Sequence, residues 1–113
     1  MTEWISEALA NHEQWQLTRQ SENISGQQFK VPPGCNLVDA DLKEVNLNWA
    51  YLAGADLSRA NLVGASLIQA DLGGATLQYA DLSWSDSSWA RLSWANLSCT
   101  NLNGCRLLGA DLT

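Results

Sequence analysis

A chain of 113 residues has room for one domain, and 12 acidic side chains against 6 Lys and Arg leave a formal charge of −6, the wrong sign for a nucleic-acid partner. An apolar content of 46% is that of a globular chain, yet no stretch approaches the run of about 18–20 apolar residues that a membrane helix needs. Three cysteines without metal spacing and one histidine, His12, offer no disulfide framework and little material for metal or acid–base chemistry, so no metal, cofactor or enzymatic activity is expected.

Met1-Thr2-Glu3-Trp4 has neither a basic segment nor an apolar core, so no signal peptide is expected and the cytoplasm is the expected compartment. Thr2 can cap a first short helix whose apolar stripe is Trp4, Ile5, Ala8 and Leu9. Asn11-His12-Glu13-Gln14 fits a capping box for a second helix, with Trp15 and Leu17 inside it and an end near Ser21. His12 then belongs to the cap of a helix, not to a catalytic site. Ile24 and Phe29 stand five apart, as if starting a partial turn of the repeat that follows, with Pro32-Pro33-Gly34 as an insertion. Residues 1–34 are read as an N-terminal helical cap and linker.

From residue 35 onward leucine returns every fifth position. The series is Leu37, Leu42, Leu47, Leu52, Leu57, Leu62, Leu67, Leu72, Leu77, Leu82, Leu92, Leu97, Leu102, Leu107 and Leu112, interrupted only by Ser87. Two residues before each stands a small side chain, most often alanine, and between the two a polar one, most often Asp or Asn. A period of five would wind around a helix and change sides along a flat strand. It buries one set of side chains if the chain turns a corner every five residues, so that four sides close a square coil of twenty. Coils 35–54, 55–74, 75–94 and 95–113 would stack about 4.8 Å apart, to a height of about 19 Å. All fifteen leucines are expected in the core. Ser87, with Ser85 before it, is a packing defect or a small cavity.

The pattern Ala-(Asp/Asn)-Leu-x-x resembles the pentapeptide-repeat proteins over residues 35–113. The resemblance implies an all-β solenoid, a right-handed quadrilateral β-helix of about four coils. It also implies a bacterial, especially cyanobacterial, setting; a non-catalytic role is expected from the lack of a nucleophile–base pair, metal cluster or phosphate loop. Some members of the family imitate DNA and inhibit DNA gyrase.

The last residue of each five sits at a corner. Glycine holds it at Gly54, Gly64, Gly74, Gly104 and Gly109, where a type II turn with positive φ is expected. In the third coil the corners are Tyr79, Trp84, Trp89 and Trp94; bulky residues avoid positive φ, so a different turn is expected there. These rings can shield neighbouring glycines, Trp84 over Gly64 or Gly104 and Trp94 over Gly74. They can also bind a protein partner, with Trp49 extending the patch from two coils below Trp89.

Residues 35–113 hold eight acids and four bases, net −4, whereas duplex DNA carries about eleven charges over this height. Arg91 and Arg106 even occupy the outward position usual for Asp or Asn, so charge mimicry is poor. Cys35 and Cys105 point inward about three coils apart, too far to bridge, and Cys99 sits at an outward corner. The uncapped C-terminal coil suggests an end-to-end homodimer, a piece of a longer chain or a frayed end. The leading reading is a rigid interaction or scaffold module with an unidentified protein partner, contacted through Trp49, Tyr79, Trp84, Trp89 and Trp94. The alternatives are a DNA-mimic inhibitor of an enzyme such as gyrase and a structural segment of a larger protein.

Overall fold

The computed structural model describes residues 35–113, so the helical cap expected at 1–34 lies outside the described residues. Twelve parallel bridges join each polar position to the residue twenty further on, from Asn36 with Asp56 to Arg91 with Asp111. Four five-residue sides therefore make one coil, and the expected register of twenty holds along the whole stack.

Each side is built from the same hydrogen bonds. Asp56 donates its backbone N–H down to the Cys35 carbonyl at 2.8 Å, and Leu57 donates up to the Thr76 carbonyl at 2.7 Å. The corner residue Arg59 also donates upward, to Gln78 at 2.9 Å, and Ala60 closes the turn onto the Leu57 carbonyl at 3.0 Å. This last bond is that of a four-residue turn, and its third residue has positive φ in every case. All fifteen corners, from Asp39 to Gly109, have φ between 57° and 73°, as a type II turn requires.

The aromatic corners are no exception, which corrects the expectation of a different turn. Tyr79, Trp84 and Trp89 each have φ of 61°, and Trp94 has 63°. Left-handed backbone costs a residue with a Cβ about 1–2 kcal/mol, but here the stack decides. Trp84 N–H must reach the Asn103 carbonyl (2.9 Å), and Trp89 N–H the Leu108 carbonyl (2.8 Å). A different corner in one coil would break the ladder above it.

The Asp and Asn preference has a local cause. At all eleven positions where one of them precedes an inward leucine, or Ser87 in its place, its Oδ1 accepts the backbone N–H two residues on. This is the Asx turn, in which the side chain takes over a backbone acceptor's role at the bend. Ser66 cannot do this, and Asn48 of the coil below supplies the missing acceptor to Ile68 N–H at 2.8 Å.

Leucine and the small residue before it fill the interior. Leucines 37 to 82 and Leu92 are at most 4% exposed, and the inward alanines from Ala50 to Ala90, a series that does not include the half-buried Ala53, at most 1%. Burial falls off in the last coil: Leu97, Leu102 and Leu107 are half-buried, and Leu112 is 54% exposed. Leu112 is thus not a core residue among the described coils, because no coil stacks on it.

Candidate functional site

The corners form four columns that run along the stack. One holds Asp39, Arg59, Tyr79 and Cys99; the next Glu44, Gly64, Trp84 and Gly104; the third Trp49, Gln69, Trp89 and Gly109; the fourth Gly54, Gly74 and Trp94. One coil therefore carries an aromatic side chain at all four corners. All four are exposed: Tyr79 59%, Trp84 74%, Trp89 57% and Trp94 88%. A square coil aims its corners in four directions, so the rings make a girdle and not a flat patch. Two of them can share a contact only across a common side. Trp49 is half-buried and separated from Trp89 by Gln69 in the same column.

Two of the rings lean toward the C-terminal coil. A Cβ placed on Gly104 would lie 2.6–2.9 Å from three adjacent atoms of the Trp84 ring, and one on Gly109 would collide with Trp89 in the same way. Trp84 and Trp89 thus lie against glycine backbones, one face covered and the other open to solvent. The Glu44 side chain covers Gly64 in the same sense, and nothing lies over Gly74. The expected pairings of Trp84 with Gly64 and Trp94 with Gly74 are therefore not formed. Trp94 has no described corner above it, which accounts for its exposure.

The charged groups around the girdle are largely paired by the register of twenty. Arg59 binds Asp39 through two hydrogen bonds of 2.9 and 3.1 Å, which hold the Asp39 carboxyl below and the Arg59 guanidinium above its usual range. Arg91 lies 3.6 Å from Asp71, and Arg106 lies 4.0 Å from Asp86. Asp81 and Asp86 each accept a serine hydroxyl, Ser83 at 2.6 Å and Ser88 at 2.7 Å. Those bonds are the leading cause that keeps both carboxyls below the ordinary range. Asp111 is held low chiefly by the Thr113 hydroxyl, with Thr113 N–H and the Ser93 hydroxyl adding to it.

Beneath the girdle the core turns polar. Ser85 and Ser87 are fully buried, and Cys105 of the next coil places its Sγ 3.2 Å from Ser85 Oγ and 3.9 Å from Ser87 Oγ. The pairing of 85 with 105 follows from the register of twenty and was open to sequence reasoning. Cys35, Cys99 and Cys105 are all free thiols, and burial pushes Cys35 up. Among the described residues no group of three or more His, Cys, Asp or Glu could hold a metal ion.

A family model for pentapeptide repeats matches eight copies over residues 33–59, 55–86 and 88–113. Among solved structures, the pentapeptide repeat protein alr5209 from Nostoc Pcc 7120 is 36% identical, covers 71% of this chain and 65% of its own, and has a TM-score of 0.58. Rfr23 from the cyanobacterium Cyanothece 51142 is 29% identical over 77% of this chain and 62% of its own, with a TM-score of 0.40. HetL, a protein involved in heterocyst differentiation regulation from Nostoc sp. strain PCC 7120, is 34% identical over 73% of this chain and 46% of its own, with a TM-score of 0.37. The chain thus spans less than two thirds of the length of each of these structures. No curated protein matches it. On the family match, the stacked square coils and the five-residue leucine period, the chain belongs to the pentapeptide-repeat family.

Proposed function

We propose that this chain is a non-catalytic interaction module of the cytoplasm whose right-handed solenoid presents the aromatic girdle of its third coil to a protein partner. The observation that carries the reading is the placement of Trp84, Trp89 and Trp94. Each is 57–88% exposed on a left-handed corner that glycine fills at five other positions. Solvent exposure wastes the rings' apolar area and the corner strains their backbone, a combination that points to a use outside the fold. Because the corners face four ways, a partner engages one side of the square and two rings at a time, or wraps around the coil.

Charge mimicry of DNA is disfavoured by two features. All of the solenoid's aspartates but Asp39 cap turns in the same way as its asparagines, and three of its four cations stand beside acids. A second reading concerns the last coil. Leu108 and Leu112 are 68% and 54% exposed, and Leu97, Leu102 and Leu107 are half-buried. That apolar end would take a second copy end to end, or further coils of a longer chain.

The test of the girdle is capture from lysate of the source cells by wild-type protein and by a Trp84→Ala, Trp89→Ala, Trp94→Ala variant, with circular dichroism confirming that both fold. A protein retained by the wild type and lost by the variant supports the reading. Equal capture by both overturns it.

A further inference from the structure

Three sides of the girdle share one design, a floor residue between two aromatic corners, and differ in the charge of that floor. Between Trp84 and Trp89 the floor is Asp86, with Arg106 of the next coil 4.0 Å away. Between Trp89 and Trp94 it is Arg91, with Asp71 below at 3.6 Å and Asp111 above as its bridge partner. Both floors are neutralised from within.

Between Tyr79 and Trp84 the floor is Asp81. Its bridge partners are Asn61 below and Asn101 above, neither of them charged. The cations on this side are Lys43, two coils lower, where Asp41 and Glu44 accompany it, and Arg59, at the corner one coil below Tyr79, which is bonded to Asp39. Asp81 Oδ1 is held by Ser83 through its N–H at 2.9 Å and its hydroxyl at 2.6 Å. Among the described residues no ion pair or hydrogen bond reaches Oδ2. A carboxylate without a cation thus stands between two exposed rings.

We propose that the side framed by Tyr79, Asp81 and Trp84 receives an arginine or lysine side chain from a basic peptide segment of the partner. A guanidinium or ammonium can lie on the open face of a Tyr or Trp ring and reach a carboxylate at the ring's edge. The surrounding charge favours it, since the described solenoid is net −4 and this side has the floor that is not already neutralised. An anionic or aliphatic side chain would gain the rings but leave or oppose the carboxylate. The inference rests on the girdle as the docking surface and names the side and the chemistry that the partner presents.

Two substitutions separate binding from folding. Asp81→Asn removes the charge and keeps the Oδ1 acceptor, as Asn61 and Asn101 show in the same stack. Trp84→Gly installs the residue already found at Gly64 and Gly104 in that column. The probe is a six-residue arginine–glycine–serine peptide, compared with the same peptide carrying citrulline, titrated into 15N-labelled full-length protein at low salt. The expected result is a saturable shift of the Trp84 indole N–H with arginine and none with citrulline. Asp81→Asn should weaken binding about fivefold, the upper range for an exposed ion pair, and Gln69→Ala, at a corner of the second coil, should leave it unchanged. Equal shifts with citrulline, shifts centred on Trp89 and Trp94, no effect of Asp81→Asn, or no shift at all would each overturn the proposal. A partner lost by the triple tryptophan variant but kept by Asp81→Asn would overturn the basic side chain while leaving the girdle standing.

Discussion

The contact between Trp84 and Gly104 can be isolated by three substitutions. Gly74→Ala and Gly104→Ala impose the same backbone strain, since the two glycines have φ of 67° and 68°. Left-handed backbone costs alanine about 1–2 kcal/mol, and the loss of chain freedom on replacing glycine returns about 0.4–1. Gly74→Ala, with nothing within 4 Å of the new methyl, should therefore cost about 1 kcal/mol. At Gly104 the methyl would also stand 2.6 Å from Trp84 Cε3 and 2.9 Å from Cδ2 and Cζ3. Carbon atoms settle at about 3.5–4.0 Å, so the ring must lift by about 1 Å and lose its contact. That adds about 1 kcal/mol, for a total near 2. In a Trp84→Gly background the extra penalty should vanish, giving a coupling of about 1 kcal/mol in a double-mutant cycle. Urea unfolding followed by circular dichroism reads the wild type and the four variants. Equal penalties at Gly74 and Gly104, unchanged by Trp84→Gly, would refute the packing of this ring against the backbone.

Ser87 stands where Leu67 lies below and Leu107 above, so Ser87→Leu should complete the column and stabilise the protein by about 1–2 kcal/mol, read from the urea midpoint. Loss of stability would show that the interior has closed around the serine. Asp81→Ala should cost about 1 kcal/mol because Ser83 N–H loses its acceptor, whereas Asp81→Asn should be nearly neutral; equal costs would show that charge, not turn capping, is what Asp81 contributes. Acid should also weaken the fold in a defined direction. Asp39, Asp81, Asp86 and Asp111 are held below the usual carboxylate range, while unfolded aspartate titrates near about 3.9. The unfolded chain thus binds protons first as pH falls, so stability should be level above about pH 5 and decline below about pH 4. The Asp81→Asn, Asp86→Asn double variant should show a shallower decline, and an unchanged one would assign the acid sensitivity elsewhere.

The leucine period and the register of twenty were readable because each coil repeats the same inward pair, and any slip would move a whole row of leucines to the surface. The turn type at the glycine corners was readable for the same local reason. At Tyr79, Trp84, Trp89 and Trp94 a local rule failed: intrinsic avoidance of positive φ, about 1–2 kcal/mol, yields to ladder bonds, on both sides of the coil at the first three and from the coil below at Trp94, where Gly74 N–H reaches the Ser93 carbonyl. The Asp and Asn role as turn caps was present in the spacing to the N–H two residues on, but a repeat read for its leucines hides it. The four directions of the girdle follow from closing the square, which also means that Trp49 and Trp89 share a corner column without sharing a continuous patch. Leu112 departs from the leucine rule because burial in a solenoid comes from the neighbouring coil and not from the residue itself.

The most direct test of the girdle as the docking surface is site-specific photo-crosslinking in the source cells. A photoreactive residue would replace Trp84 or Trp94 in one pair of proteins and Arg59 or Gly74, corners of the second coil, in a control pair. The account expects one protein adduct, formed from the third coil and absent from the second. The same adducts from both coils, or none from Trp84 and Trp94, would contradict it and return the rings to a packing role.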